Sequence, residues 1–132
     1  MLDPTKTDGA AYYAALMATD YQKFTPGPWY ETPQPTQGRH GTDVLVYLNP
    51  IMEAALGKTG LAEWPDGSLV VKDGFDADGK PVSVSALEKY GSEWYFAEFD
   101  ASGKTLVAGL EDATCRGCHH EGNDAILIFQ LP

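Results

Sequence analysis

The residues whose types and spacing could carry chemistry are Cys115-Arg116-Gly117-Cys118-His119, a C-x-x-C-H motif that uses both cysteines of the chain. In a c-type cytochrome the two thiols add to the haem vinyl groups, and the adjacent histidine ligates iron. Two intervening residues let both sulfurs reach one porphyrin edge, and the next residue then turns toward the metal. Two other chemistries use similar residues. A redox dithiol sits at a helix start after a strand of a βαβ unit, and the order of elements upstream is different here. A zinc site needs four ligands. Cys115, Cys118, His119 or His120 and the distant His40 supply the types but not the usual spacing. One haem c per chain, with His119 on the iron, is therefore the expected cofactor.

A His/Met electron carrier also needs a methionine on the distal side. Met1 is expected to be a start residue, and Met17 and Met52 fall on helical faces among apolar neighbours, where a core role is expected. His120 is expected to face solvent, and His40, in Gly38-Arg39-His40-Gly41, to be a loop hydrogen-bonder. That leaves an open, five-coordinate iron.

The motif must be positioned by the elements before it. Asp8 can cap a helix over about 9–24, with Tyr13, Leu16, Met17, Tyr21 and Phe24 on one face. Thr25-Pro26-Gly27-Pro28 stops it. Residues 25–41 hold four prolines and predict an extended loop anchored by Trp29 and Tyr30. Val44–Leu48 predicts a strand, and Pro50 the first turn of a short helix over Ile51–Leu56 that Gly57 can close. Ser68–Phe75, Pro81–Tyr90 and Glu93–Phe99 predict three further strands. They are separated by the hairpin turns Asp76-Ala77-Asp78-Gly79 and Gly91-Ser92. After the turn Asp100-Ala101-Ser102-Gly103 comes a short segment with the cysteines, then a last strand over Ala125–Gln130. The expected class is α+β: one mainly antiparallel sheet over about 43–130, an N-terminal helix and short helices.

The length of 132 residues predicts a single domain over 1–132, and 43% apolar content is enough for a core. No apolar run reaches the roughly 20 residues of a membrane span. With 19 acidic and 9 basic side chains the net charge is −10. Such a surface repels nucleic-acid phosphate and anionic membrane, and favours a small molecule or a basic redox protein as partner. Met1-Leu2-Asp3-Pro4-Thr5-Lys6 lacks the basic and apolar regions of a secretory signal. Because thioether attachment of haem occurs outside the bacterial cytoplasm, a mature periplasmic protein is expected.

Several stretches together resemble the cytochrome P-460 family, which includes the cytochromes c-prime-beta. They are His40-Gly41 with Val44–Pro50, Trp64-Pro65-Asp66-Gly67-Ser68 with Leu69–Asp73, Leu87-Glu88-Lys89, Trp94–Asp100, the C-x-x-C-H, and Asp124–Phe129. They cover roughly residues 40–130. The resemblance implies a mostly antiparallel homodimer with a five-coordinate c-type haem. In the P-460 enzymes a lysine is cross-linked to the porphyrin, a distal carboxylate accepts protons, and hydroxylamine is oxidised. In the c-prime-beta branch there is no cross-link, an aromatic caps the distal face, and NO or CO binds.

By this resemblance the cross-linking lysine falls on Lys72 and the carboxylate near Ser85, which is a poor proton acceptor. Glu98 is expected to face solvent, and Glu88 to form a surface pair with Lys89. Phe75 and Phe96 are the candidate distal caps. Strand parity puts Phe75 on the face opposite Lys72, so both can face the haem only across a bulge. Without the carboxylate, binding of NO or CO is expected ahead of hydroxylamine oxidation, with electron transfer third.

Overall fold

The computed structural model describes residues 8–36, 40–113, 115, 119, 124 and 126. Helix α1 spans Gly9–Ala18, and the Asp8 carboxylate accepts from the Ala11 amide at 2.8 Å, as a capping side chain should. Asp20 then takes a left-handed conformation (φ 54°) and breaks the helix, and Tyr21–Lys23 continues as a 3₁₀ turn. The expected single helix over 9–24 is therefore two pieces. Tyr12, Leu16 and Tyr21 form the buried face, whereas Met17, expected on it, is exposed.

Two-residue strands β1 (Thr25–Pro26) and β2 (Gln34–Pro35) both pair with β3 (Asp43–Leu48). Between them Trp29 is 74% exposed at φ 67°, so it does not anchor the loop; Tyr30 packs against a buried cluster instead. Helix α2 (Pro50–Leu56) starts on Pro50 and is closed by Gly57. Its N-cap, Asn49, accepts from the Met52 amide and from the Leu69 amide, and donates to the Gly67 carbonyl, tying α2 to the next strand.

Strands β4 (Leu69–Phe75), β5 (Pro81–Tyr90), β6 (Glu93–Asp100) and β7 (Thr105–Leu110) complete an antiparallel sheet of order β1-β3-β4-β5-β6-β7. In the β4–β5 and β6–β7 turns a single aspartate, Asp76 or Asp100, accepts from two amides of its own turn. The sheet has helices on both faces. Tyr12, Leu16 and Tyr21 pack with Val71, Ala86, Tyr95, Ala97 and Phe99 on one. Met52, Ala55 and Trp64 pack with Val46, Val70, Leu87 and Phe96 on the other, where Cys115 and Ile126 also contribute.

Coverage on both sides explains why β6 is buried along most of its length rather than at alternate positions. Of the predicted last strand over Ala125–Gln130, only Ile126, a buried bridge residue, lies within the described residues. No helix among the described residues is long and apolar enough to cross a membrane.

Candidate functional site

Register decides which side chains meet. Val46 pairs with Lys72, Lys72 with Ser85, Ser85 with Glu98, and Glu98 with Val107. These five residues form one rung across β3 to β7, and directly opposed side chains of an antiparallel pair lie about 5 Å apart at Cβ. The next rung toward α2 holds Leu48, Val70, Leu87, Phe96 and Gly109. Lys72, Ser85, Phe96 and Glu98 thus share the face that carries Cys115.

Glu98 corrects the expectation of a solvent-facing carboxylate. It is 3% exposed, its Oε2 lies 3.0 Å from His40 Nδ1, and it accepts from Ser85 Oγ at 3.3 Å. His40 Nδ1 is also 3.0 Å from Ser85 Oγ. His40 is the loop hydrogen-bonder that was expected, and its partners belong to the candidate site.

Gly74 makes this approach possible. A Cβ there would stand 1.8 Å from the His40 carbonyl oxygen, so any larger residue would push the His40 loop off the sheet. Ser83, in register with Gly74, donates to the same carbonyl at 3.0 Å.

Lys72 is half-buried in this face. Removing its ammonium from water favours the neutral amine and lowers its pKa from 10.5 to about 8. More of this amine is uncharged, and so nucleophilic, near neutral pH than for an ordinary lysine.

Phe75 pairs with Asp43 on β3 and follows Asp73 in parity, so it falls on the face opposite Lys72. The pairing of β4 with β5 does shift between Gly74 and Phe75, but the extra residue, Val82, is on β5 and leaves the alternation of β4 intact. Of the two aromatic candidates, Phe96 therefore shares the face and Phe75 does not.

His119 is 6% exposed; it is helical, and so are Ala113 and Cys115. Its ring centroid is 5.7 Å from that of Phe96 and 6.5 Å from that of His40. Cys118 lies outside the described residues. Among the described residues no three His, Cys, Asp or Glu side chains converge as a metal-ion site. A haem requires no such cluster, because the porphyrin supplies four of its ligands. What the protein must present is a thiol, an axial imidazole and an apolar wall. Cys115, buried His119 and the Val70–Leu87–Phe96 wall form that set on one face, and the residues present fit the group.

Two further ionic groups lie apart from this rung. Lys89 is 1% exposed, and its Nζ donates to Asp124 Oδ2 at 2.5 Å while lying 5.1 Å from the Trp94 ring centroid. Asp124 also accepts from the Trp64 amide at 2.9 Å and from Trp94 Nε1 at 3.1 Å. On the opposite face Glu88 is buried and accepts from Tyr12 Oη at 2.6 Å. Burial raises the Glu88 pKa, and the Tyr12 hydrogen bond acts against that rise. Glu88 and Lys89 are successive residues pointing to opposite faces, so the expected surface pair does not form.

The chain matches no protein-family model, and no curated protein matches it significantly.

Proposed function

We propose that the chain is a mono-haem c-type protein. Cys115 and Cys118 would carry the thioethers, His119 would ligate the iron, and the Lys72–Ser85–Glu98 rung would line the site for a small ligand. The activity proposed is oxidation of hydroxylamine, as in the P-460 enzymes that the sequence resembles. The observation that carries it is the buried Glu98 carboxylate, on the same rung as Lys72. When bound, the haem supplies an iron that holds the small nitrogenous ligand and takes up its electrons.

The protein's own residues do the rest. Glu98 accepts the protons released as hydroxylamine is oxidised, which a serine at Ser85 cannot do at neutral pH. Ser85 and His40 hold the Glu98 carboxylate in one orientation. Phe96 covers apolar surface beside His119 and excludes water. Lys72, with its lowered pKa, would present a neutral amine to the porphyrin; a carbon–nitrogen bond formed there would replace an N–H and a ring C–H bond and would need a two-electron oxidant from solution. The electrons leave to an acceptor, and the net charge of −10 favours a basic redox protein. The expected location is the periplasm and the expected assembly a homodimer.

A second reading, binding of NO or CO without turnover, is favoured by Phe96, an aromatic on the same face. Mass spectrometry of the haem peptide separates the two. A peptide carrying Lys72 together with Cys115 and Cys118, with a broadened, red-shifted Soret band, supports the enzyme. A haem joined only to the cysteines, with an ordinary Soret band that shifts with NO, supports the gas-binding protein. A chain that acquires no haem when matured beside a c-type haem-attachment system refutes both.

A further inference from the structure

Gly27, Pro28, Trp29 and Tyr30 form a β-turn, closed by the Tyr30 amide, which donates to the Gly27 carbonyl at 2.8 Å. The ring of Pro28 fixes a negative φ at the second position, and Trp29 has φ 67° at the third. That combination is a type II turn, whose third position is normally glycine because any side chain there is strained. Folding gains little from a tryptophan in that place. Among the described residues its side chain is the most exposed of the large apolar ones, ahead of Leu106 at 49%. Strain of this kind persists where function uses it.

The turn is braced from both sides. Strands β1 and β2 clamp the loop onto β3, and the Gly27 amide donates to the Val46 carbonyl at 2.9 Å. Pro26 and Pro35 lack an N–H, so this edge is a poor template for a further strand and presents a side chain instead. Val46 belongs to the Lys72 rung, and Tyr30 packs on the same buried cluster as Cys115, so the turn adjoins the proposed haem face. The local charge is acidic. Residues 25–36 hold exposed Glu31 and no basic residue, and half-exposed Asp43 lies opposite Pro35.

We infer that Trp29 anchors a docking surface for a basic redox protein, its indole filling an apolar patch that lysines or arginines ring on the partner. A tryptophan on a braced turn is ordered before the partner arrives, which is how interface anchors gain affinity. Glu31, Asp43 and the net charge of −10 attract the basic ring and repel acidic proteins. The use of this surface to receive electrons rests on the haem reading above; the surface itself does not.

The test titrates the purified chain, with the haem it acquires on maturation, against an oxidised, lysine-rich mono-haem cytochrome c by calorimetry at low ionic strength. Wild type is compared with Trp29→Gly, Trp29→Phe and Glu31→Lys. Trp29→Gly suits the backbone, so its unfolding midpoint is expected to be no lower than that of wild type, while binding weakens about thirtyfold. Trp29→Phe keeps a ring and is expected to recover part of the loss. Glu31→Lys is expected to bind a few-fold more weakly, with the difference shrinking as salt is added. No binding by wild type, or equal binding by wild type and Trp29→Gly, overturns the inference. A lower unfolding midpoint for Trp29→Gly also overturns it, because Trp29 would then serve the fold. So does a wild-type dimer that Trp29→Gly converts to a monomer in sedimentation, because the occupant would then be a second copy of this chain. A chain without covalent haem that still binds through Trp29 refutes the haem reading and upholds the surface; a haem-loaded chain whose binding ignores Trp29 does the reverse.

Discussion

Replacing Asp124 with asparagine tests what holds the chain just after the C-x-x-C-H motif against the sheet. Asp124 has φ 53°, a conformation that asparagine tolerates as well as aspartate, so the exchange isolates charge from backbone strain. Three donors converge on its carboxylate: Lys89 Nζ, the Trp64 amide and Trp94 Nε1. An asparagine keeps one acceptor oxygen and turns an N–H group toward at least one of these donors. Among the described residues Lys89, 1% exposed, then keeps one acidic neighbour, Glu63, at 3.5 Å, whose side chain is 54% exposed. Breaking a buried ion pair by removing one partner costs about 3–5 kcal/mol. The remaining Glu63 and the Trp94 ring argue for the low end, about 3 kcal/mol.

For a chain of this length that is a fall in Tm on the order of 10 °C. Urea unfolding, followed by tryptophan fluorescence, gives the free energy directly. A lower midpoint at unchanged m-value is expected. The double exchange Lys89→Met with Asp124→Asn removes both charges, keeps an acceptor oxygen and a side chain that suits this backbone, and is expected to recover part of the loss. A loss below about 1 kcal/mol for Asp124→Asn would show that the pair is solvated and that the segment is held elsewhere.

Three other perturbations follow from the same geometry. Glu98→Gln is expected to retain haem while hydroxylamine oxidation falls by about 10²–10⁴-fold in a steady-state assay; undiminished turnover would remove Glu98 as proton acceptor. Tyr12→Phe leaves buried Glu88 without its 2.6 Å donor and is expected to cost about 1–3 kcal/mol by denaturant unfolding, with the site face unchanged. Lys72→Met concerns pH. A lysine whose folded pKa is lowered from 10.5 to about 8 stabilises fully above 10.5, and that contribution is lost as pH falls through 8. In the haem-free chain Lys72→Met is therefore expected to be more stable than wild type at pH 7, by about 3 kcal/mol, with the gap closing above pH 10.5. A gap independent of pH would mean that Lys72 stays hydrated when folded.

How far the sequence revealed this arrangement depends on the kind of signal each element carries. The strands β3 to β6 are written in β-branched and aromatic residues between turns whose aspartates and glycines have definite backbone roles, and their limits lie within a residue or two of those expected. Strand β7, Thr105-Leu106-Val107-Ala108-Gly109-Leu110, had no such signature. Alanine and glycine are poor strand formers, and its pairing with β6 compensates for what its own residues lack. Trp29 departs from the expectation that an aromatic in a proline-rich loop plugs it. It is exposed on a left-handed backbone, a conformation that is not written in residue type.

Glu98 is the most instructive case. In a sheet open to water on one side, a charged residue between Ala97 and Phe99 marks the wet face. Here helices and the cysteine segment cover both faces, so alternation separates two interiors rather than inside from outside. Polarity then marks a place where a buried group must find partners. Lys72, Ser85 and Glu98 belong to three strands, and only the registers of β4, β5 and β6 put them on one rung. His40 joins them because Gly74 leaves room for its backbone. Each polar residue had an ordinary surface explanation when considered alone. Together, Ser85 and His40 satisfy the Glu98 carboxylate, while burial of Lys72 on the same rung disfavours its charged form, a combination common at functional sites. That combination is the ground on which this rung is proposed as the reactive side of a haem site. The opposite face spends its polar groups differently: Glu88 and Asp73 are each capped by a tyrosine hydroxyl from α1 or the turn that follows it, and both pairs serve to fasten that helix to the sheet.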